Sequence, residues 1–257
     1  MGRDKFCEIF MDLGYRVKQV KNYTRTTIPT HMSYPNFIEG MAVTRPYQVI
    51  QTDITYFDLG GEFYYIIFII DVYTREILGH HVGDNMRTGC NIKALRMALK
   101  KIPTREQKTM IHHSDRGSQY VSKAYTTILK EAGISISMGC IAQDNAFAER
   151  VNGTIKNEYL RLWYIKDYKD LRRLTNKAVR HYNEDRLHLA FGNKYSPLDF
   201  KKTLVNLSTQ KRPKVIIYAD GRYKTKVASS HLDFNPRKEP QAHNCPIEIM
   251  GENKLII

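Results

Sequence analysis

Residues 110–156, "MIHHSDRGSQYVSKAYTTILKEAGISISMGCIAQDNAFAERVNGTIK", decide how the rest of the chain is read. The stretch opens as a short strand ending at Asp115, runs through a helix into a second strand over 134–138, and enters a helix that opens near Asn145 and carries Glu149 and Lys156. An Asp at a strand end and a Glu on a later helix converge only when the strand and the helix pack together, and a βαβα unit supplies that packing. Carboxylates are gathered around metal ions in this way. The third carboxylate has to come from earlier in the chain, and the candidate is Asp53 in "YQVIQTDITYF".

That earlier segment is β-branched and aromatic, and Gly60-Gly61 is a hairpin signal before "EFYYIIFIID". The nearly continuous apolar run of the second strand predicts burial on both faces. "ILGHHVGD" supplies a third strand, and residues 90–101 place Ile92, Leu95, Met97, Ala98 and Leu99 at helical spacing, with Pro103 closing the helix. The expected order is βββαβαβα. Hairpins make the first strands antiparallel, and right-handed crossovers add parallel strands beyond the first. This is the order of a ribonuclease H-like fold, an α/β mixed five-stranded sheet flanked by helices. Its first and fourth strands are central neighbours, which sets Asp53 beside Asp115 and leaves helix packing to deliver Glu149. Other acidic residues have simpler explanations. Asp58, Asp71 and Asp84 sit at strand ends, where turns use them, and Asp144 is expected to cap the Glu149 helix. His112 and His113 are read as supports of the Asp115 loop, because a carboxylate site does not need them.

Around this core (47–165) the chain divides into a short helical segment with a linker (1–46), a basic helical extension (166–205) and a tail (206–257). The opening "RDKFCEIFMDLGYRV" spaces Phe6, Ile9, Phe10 and Leu13 helically; it reads either as the last helix of a partial helix-turn-helix or as a docking helix. The chain has 40 Lys and Arg against 26 Asp and Glu, a net charge of +14, which points to a polyanionic partner or an anionic membrane surface. Residues 150–214 hold ten of those net positive charges. There Tyr168, Leu171, Leu174, Ala178 and Tyr182 form an apolar helical stripe, leaving Lys169, Arg172, Arg173, Lys177 and Arg180 for a solvated face or a DNA-binding one. "SPLDF" predicts a further helix capped by Ser196 with Pro197 at its first position. "KVIIYAD" is strand-like, and "PIEIMGENKLII" a possible hairpin. Cys7, Cys90, Cys140 and Cys245 lack paired spacing, which argues against a disulfide framework or a zinc knuckle. The longest apolar run, 64–70, is far short of a bilayer span, and charged residues crowd the first twenty positions. The expectation is a cytoplasmic, nucleoid-associated protein without a membrane partner.

Mg²⁺ prefers hard oxygen ligands and keeps several waters, so a catalytic pair needs few carboxylates. Such a pair activates the attacking oxygen and stabilises the leaving oxygen of an in-line phosphoryl displacement. Asp53 is assigned as the residue bridging both ions, with Asp115 and Glu149 completing the two sides; Mn²⁺ is expected to substitute. Lys156, nearly two helical turns after Glu149, and Asn152, one turn after it, share its face and are candidate DNA contacts.

Four motifs carry a resemblance: "TDITY" around Asp53, "HHSDRGSQY" around Asp115, "DNAFAERVNGTIKNEYL" around Glu149, and "YNEDRLHLAFGNKYSPLDF". In this order, over roughly residues 1–200, the chain resembles the B-frame transposases of the insertion-sequence-three family, within the retroviral-integrase superfamily. The resemblance implies that Asp53, Asp115 and Glu149 are the DDE metal ligands and that Lys156 is the family's basic residue after the Glu. It also implies Mg²⁺-dependent cleavage at the ends of a mobile DNA element and transfer of the freed 3′ hydroxyl, with no covalent protein–DNA intermediate. Double-stranded DNA, self-association on it and an A-frame helix-turn-helix partner follow as expected partners. The spacer between Asp115 and Glu149 is two residues shorter than is usual in the family, the shortening falling in "GCIAQ"; the usual Trp near the first Asp is absent, and the family's Arg-Pro-His is here Arg186-Leu187-His188. Because the chain starts inside what resembles the helix-turn-helix region, a catalytically decayed transposase remnant that acts only as a DNA-binding protein is an alternative, as is another ribonuclease H-like nuclease.

Overall fold

The computed structural model describes residues 2–14, 34–139 and 141–217. Helix α1 (Arg3–Asp12) exposes Phe6, Ile9, Phe10 and Leu13, with the Phe6 and Phe10 rings stacked at 4.2 Å. A short strand β1 (Ala42–Val43) leads into the hairpin of β2 (Val49–Leu59) and β3 (Glu62–Asp71). Gly60 and Gly61 both take positive φ, 67° and 92°, as a tight two-residue turn requires, and Asp58 Oδ1 accepts from the Gly61 N–H at 2.9 Å. Strand β4 (Ile77–Gly83) completes the meander, followed by α2 (Thr88–Lys101) and α3 (Thr104–Gln107). Then come β5 (Ile111–Ser114), α4 (Ser118–Val121), α5 (Lys123–Glu131), β6 (Ser135–Met138) and α6 (Ala146–Ile155). The described chain finishes with α7 (Tyr168–Glu184), α8 (Pro197–Thr203) and β7 (Val215–Ile216).

The sheet order is β4-β3-β2-β5-β6, with β2, β3 and β4 antiparallel and β5 and β6 running parallel to β2. This is the expected ribonuclease H-like sheet, with the first core strand beside the fourth. Residues 66–70 are buried on both faces, each side chain contributing roughly 1.5–3 kcal/mol by leaving water. On one face Ile67 and Ile69 pack with Leu95, Ala98, Tyr125 and Leu129; on the other Ile66, Phe68 and Ile70 pack with Val151, Ile155, Leu171 and Ala178. Helix α2 lies so close on β4 that a Cβ at Gly79 would collide with the Ala94 carbonyl oxygen. Leu171, Leu174, Ala178 and Tyr182 of the apolar stripe of α7 are buried and Tyr168 is partly so, and Ser196 caps α8 by accepting from the Asp199 N–H at 3.2 Å.

Three local features differ from expectation. The single helix expected between β5 and β6 is two, because Ser122 is extended (ψ 140°) and its Oγ starts α5 afresh by accepting from the Tyr125 N–H. The N-cap position of α6 is held by Asn145, not Asp144, and its side chain makes no capping bond. Asp144 lies in the preceding turn, where its Oδ2 satisfies the Ile141 N–H at 3.2 Å. Strand β7 pairs with β1, and the Ile217 N–H donates to the Met41 carbonyl, so the start of the strand-like "KVIIYAD" closes back on the entry to the core. "PIEIMGENKLII", Cys140 and Cys245 lie outside the described residues. Among the described residues, no helix is long and apolar enough to cross a membrane.

Candidate active site

The parallel ladder between β2 and β5 ends at the couple Thr52–Ser114. Asp53 and Asp115 are therefore the next residues on two adjacent central strands, at the carboxyl end of the parallel pair where open α/β sheets bind ligands. Beyond Thr52 no strand among the described residues pairs with that side of β2, so the sheet opens into a crevice there. Asp115 is held by the loop that follows it: its Oδ1 accepts from the Gly117 N–H at 3.1 Å.

Glu149 reaches the crevice because α6 is tied to β2. Gln51 is fully buried, and its Oε1 accepts from the N–H groups of Phe147 and Ala148, at 3.2 and 3.3 Å, while its Nε2 donates to the Asp144 carbonyl at 2.9 Å. Those N–H groups belong to the first turn of α6, where no intrahelical acceptor exists. The Asn145 amide adds a bond to the Thr52 carbonyl at 3.0 Å, and the Arg75 guanidinium covers the Phe147 ring at 4.0 Å. The first turn of α6 is thus locked onto the residues just before Asp53, and Glu149 points from the same turn. Sequence reasoning missed Gln51; the one signal available was an amide two places before Asp53, on the same face of a strand otherwise rich in apolar residues.

The three carboxylates act on one another. Burial pushes the Asp53 carboxyl up to about 8, reinforced by the charges of Asp115 and Glu149 and opposed by the Ile54 N–H and the Asn152 amide. Glu149 is also raised, by burial and then by Asp115. Asn152 is buried, and its Nδ2 donates to Asp53 Oδ2 at 2.8 Å, so this expected DNA contact is engaged with the carboxylate itself. Lys156 is half-buried with its Nζ 5.3 Å from the centre of the Tyr56 ring, which Phe63 meets edge-on at 5.6 Å. Burial and then Arg161 lower the Lys156 ammonium, while the Asp53 charge favours its protonated form. Tyr120 lies behind the carboxylates, its hydroxyl 3.4 Å from Thr52 Oγ1; burial and then the charges of Asp115 and Asp53 drive its pKa well up.

His112 and His113 are buried, bonded at 2.9 Å to the Tyr125 hydroxyl and the Ser137 hydroxyl, and burial lowers them to about 4 and about 3. They tie β5 to α5 and β6, where the sequence predicts supports of the Asp115 loop. Arg172, Arg173, Lys177 and Arg180 lie on the exposed side of α7, with Arg173 paired to Asp170 at 2.9 Å and Lys177 over the Trp163 ring.

The five-stranded sheet has the ribonuclease H-like architecture of an integrase core, with Asp53 within β2, Asp115 directly after β5, and Glu149 on a helix docked across β2. Two family models described as integrase core domain match the chain, over residues 43–143 and 133–195. The IS600 uncharacterized 31 kDa protein of Shigella sonnei is 34% identical over 208 residues, 79% of this chain and 75% of that protein. The transposase of insertion sequence element IS629 from the same organism is 40% identical over 145 residues, 56% of this chain and 48% of that protein. The HTLV-2 integrase catalytic core domain, solved in complex with magnesium, aligns with a TM-score of 0.47 at 18% identity, covering 60% of this chain and 95% of that one. The chain belongs to the insertion-sequence transposases of the DDE integrase superfamily, polynucleotidyl transferases of DNA transposition, and fits the insertion-sequence-three family.

Proposed function

We propose that this chain is the catalytic subunit that cuts DNA at the ends of its mobile element and joins the freed 3′ hydroxyl to target DNA, with Asp53, Asp115 and Glu149 holding Mg²⁺. The observation that carries this reading is the junction of β2, β5 and the locked first turn of α6, which brings the three carboxylates within electrostatic reach. Among the described residues no three His, Cys, Asp or Glu side chains converge closely enough to hold a metal ion by themselves. An all-oxygen, incomplete set still fits Mg²⁺, which retains waters and takes substrate phosphates as ligands. When bound, the metal supplies charge stabilisation to the attacking and leaving oxygens of phosphoryl transfer. The protein's own share is placement. Asn152 orients the Asp53 carboxylate, Gln51 fixes the approach of Glu149, and Lys156, backed by Tyr56, offers a cation to a DNA phosphate. Assembly of several copies on DNA at the nucleoid and cooperation with an A-frame partner belong to the same reading.

The test is calorimetric titration of the DNA-free protein with Mn²⁺ across pH. Because the Asp53 carboxyl is raised to about 8, it is largely protonated at neutral pH, and a cation must displace that proton. Apparent affinity should climb by roughly tenfold per pH unit toward 8 and then level off. Without metal the sign for folding is opposite: the raised carboxyl favours the folded state below its ordinary range, and that contribution is lost as pH rises through about 8. Binding that is absent, or that survives Asp53→Asn with its pH dependence intact, would remove Asp53 from the site.

The exposed cations of α7 are proposed as a DNA-backbone contact. Replacing Arg172 and Arg173 by Gln should weaken binding to DNA of any sequence and reduce the slope of log affinity against log salt by about 1–2. An unchanged slope in a filter-binding series would assign them to a solvated helix face.

A further inference from the structure

Gly153 stands in the interior of α6, where glycine is a poorer helix former than any residue except proline. Among the described residues, neither its backbone conformation nor side-chain packing requires it. Its backbone is not among those with positive φ, so no left-handed turn requires it. A Cβ there would meet no atom within 4 Å, whereas at Gly83 it would come 2.7 Å from Cys90 Sγ. Its position is informative. Gly153 follows Glu149 by one helical turn, adjoins Asn152 and precedes Lys156 by three residues, so it lies on the stripe of α6 that carries the candidate site.

We propose that Gly153 is a clearance in α6 that lets a DNA strand lie directly against helix backbone beside Glu149 and Lys156. The inference rests on the DNA-cutting reading above. A chain of net charge +14 with a half-buried lysine at this edge of the site suits a sugar-phosphate backbone as the occupant. A side chain at 153 would hold that strand away from the carboxylates while leaving the free protein undisturbed. The competing explanation is internal: the helix widens into a π-helical turn over Lys156–Leu160, and the Lys156 N–H reaches the carbonyls of both Asn152 and Gly153. If glycine eases that transition, alanine at this position should harm the free protein.

The experiment compares Gly153→Ala with Gly89→Ala in the full chain. Gly89 is also helical, in the first turn of α2, and a Cβ there likewise meets nothing within 4 Å. Gly153→Ala should raise Tm by about 2–4 °C. It should leave Mn²⁺ binding intact, yet lower strand transfer on DNA bearing the element's ends by about a hundredfold, the scale of a small misplacement of reacting groups. Gly89→Ala should not lower Tm and should leave DNA affinity and strand transfer unchanged. A fall in Tm for Gly153→Ala would assign the glycine to the helix transition and overturn the proposal, and so would a rise in Tm with DNA affinity and strand transfer unchanged. If Glu149→Gln proves as active as the native chain, the carboxylate reading fails, and Gly153 is then judged on DNA affinity alone: weakened binding by Gly153→Ala sustains the clearance, and unchanged binding ends it.

Discussion

Glu149→Gln and Asp53→Asn should each lower strand cleavage and strand transfer by roughly a thousandfold or more while leaving DNA affinity intact. Both changes preserve shape and remove only charge, so α6 keeps its bonds to Gln51 and its place on β2. What is lost is an oxygen ligand to a divalent cation. The stability change should run the other way. Burial and two neighbouring carboxylates push the Asp53 carboxyl up to about 8, which makes its ionised form a source of repulsion in the metal-free protein. Asp53→Asn should therefore raise Tm at pH 8 without metal, as a charge held for function rather than for folding predicts. The measurements are a cleavage assay on DNA carrying the element's ends, a binding isotherm on the same DNA, and a thermal melt with and without Mn²⁺. Full cleavage by Glu149→Gln would end the assignment of that residue to the catalytic centre.

The parts of this site that sequence made legible are those with local signatures. The Gly60-Gly61 turn, the unbroken apolar run of β3, the β-branched strand that carries Asp53 and the short strand that ends at Asp115 are read within a few residues of themselves, and together they place Asp53 beside Asp115. The helical face shared by Glu149 and Lys156 follows from spacing in the same way. What stayed hidden depends on partners distant in the chain. Gln51 looks like an ordinary strand residue until α6, whose N–H groups lie 96 and 97 residues further on, is laid across it. Asn152 was legible as a member of the right face but not as the donor to Asp53, since that bond depends on the depth at which α6 docks. The break at Ser122 was missed because serine is tolerated within a helix and caps one equally well; only the extended backbone there distinguishes the two uses. Pairing of residues 42–43 with 215–216 carries no periodic signal, as two-residue strands are too short to show one.

Gln51→Met should damage both folding and chemistry, because Gln51 is the link between them. Methionine has nearly the same length and fills the same space, so no cavity complicates the comparison. It neither accepts well from an N–H nor donates to a carbonyl. The Phe147 and Ala148 N–H groups and the Asp144 carbonyl would each lose the bond that Gln51 now provides, at about 1–3 kcal/mol for a buried polar group left unmade. Part of that is relieved if the first turn of α6 frays toward water, leaving a net loss of about 3 kcal/mol and a fall in Tm of roughly 6–12 °C. Fraying carries the second consequence. Glu149 sits in that turn, and its distance from Asp53 and Asp115 is set by the bonds being removed. Below the lowered melting temperature, where the variant is folded, strand transfer should still be reduced by about a hundredfold, the scale of a small displacement of a catalytic group. Mn²⁺ affinity should fall with it, whereas the salt dependence of DNA binding, set by exposed cations elsewhere, should not. A variant that melts early but retains native activity when folded would make Gln51 a structural cap only. One that melts and reacts like the native chain would mean that water replaces the amide, and that α6 is positioned by its apolar contacts with the sheet.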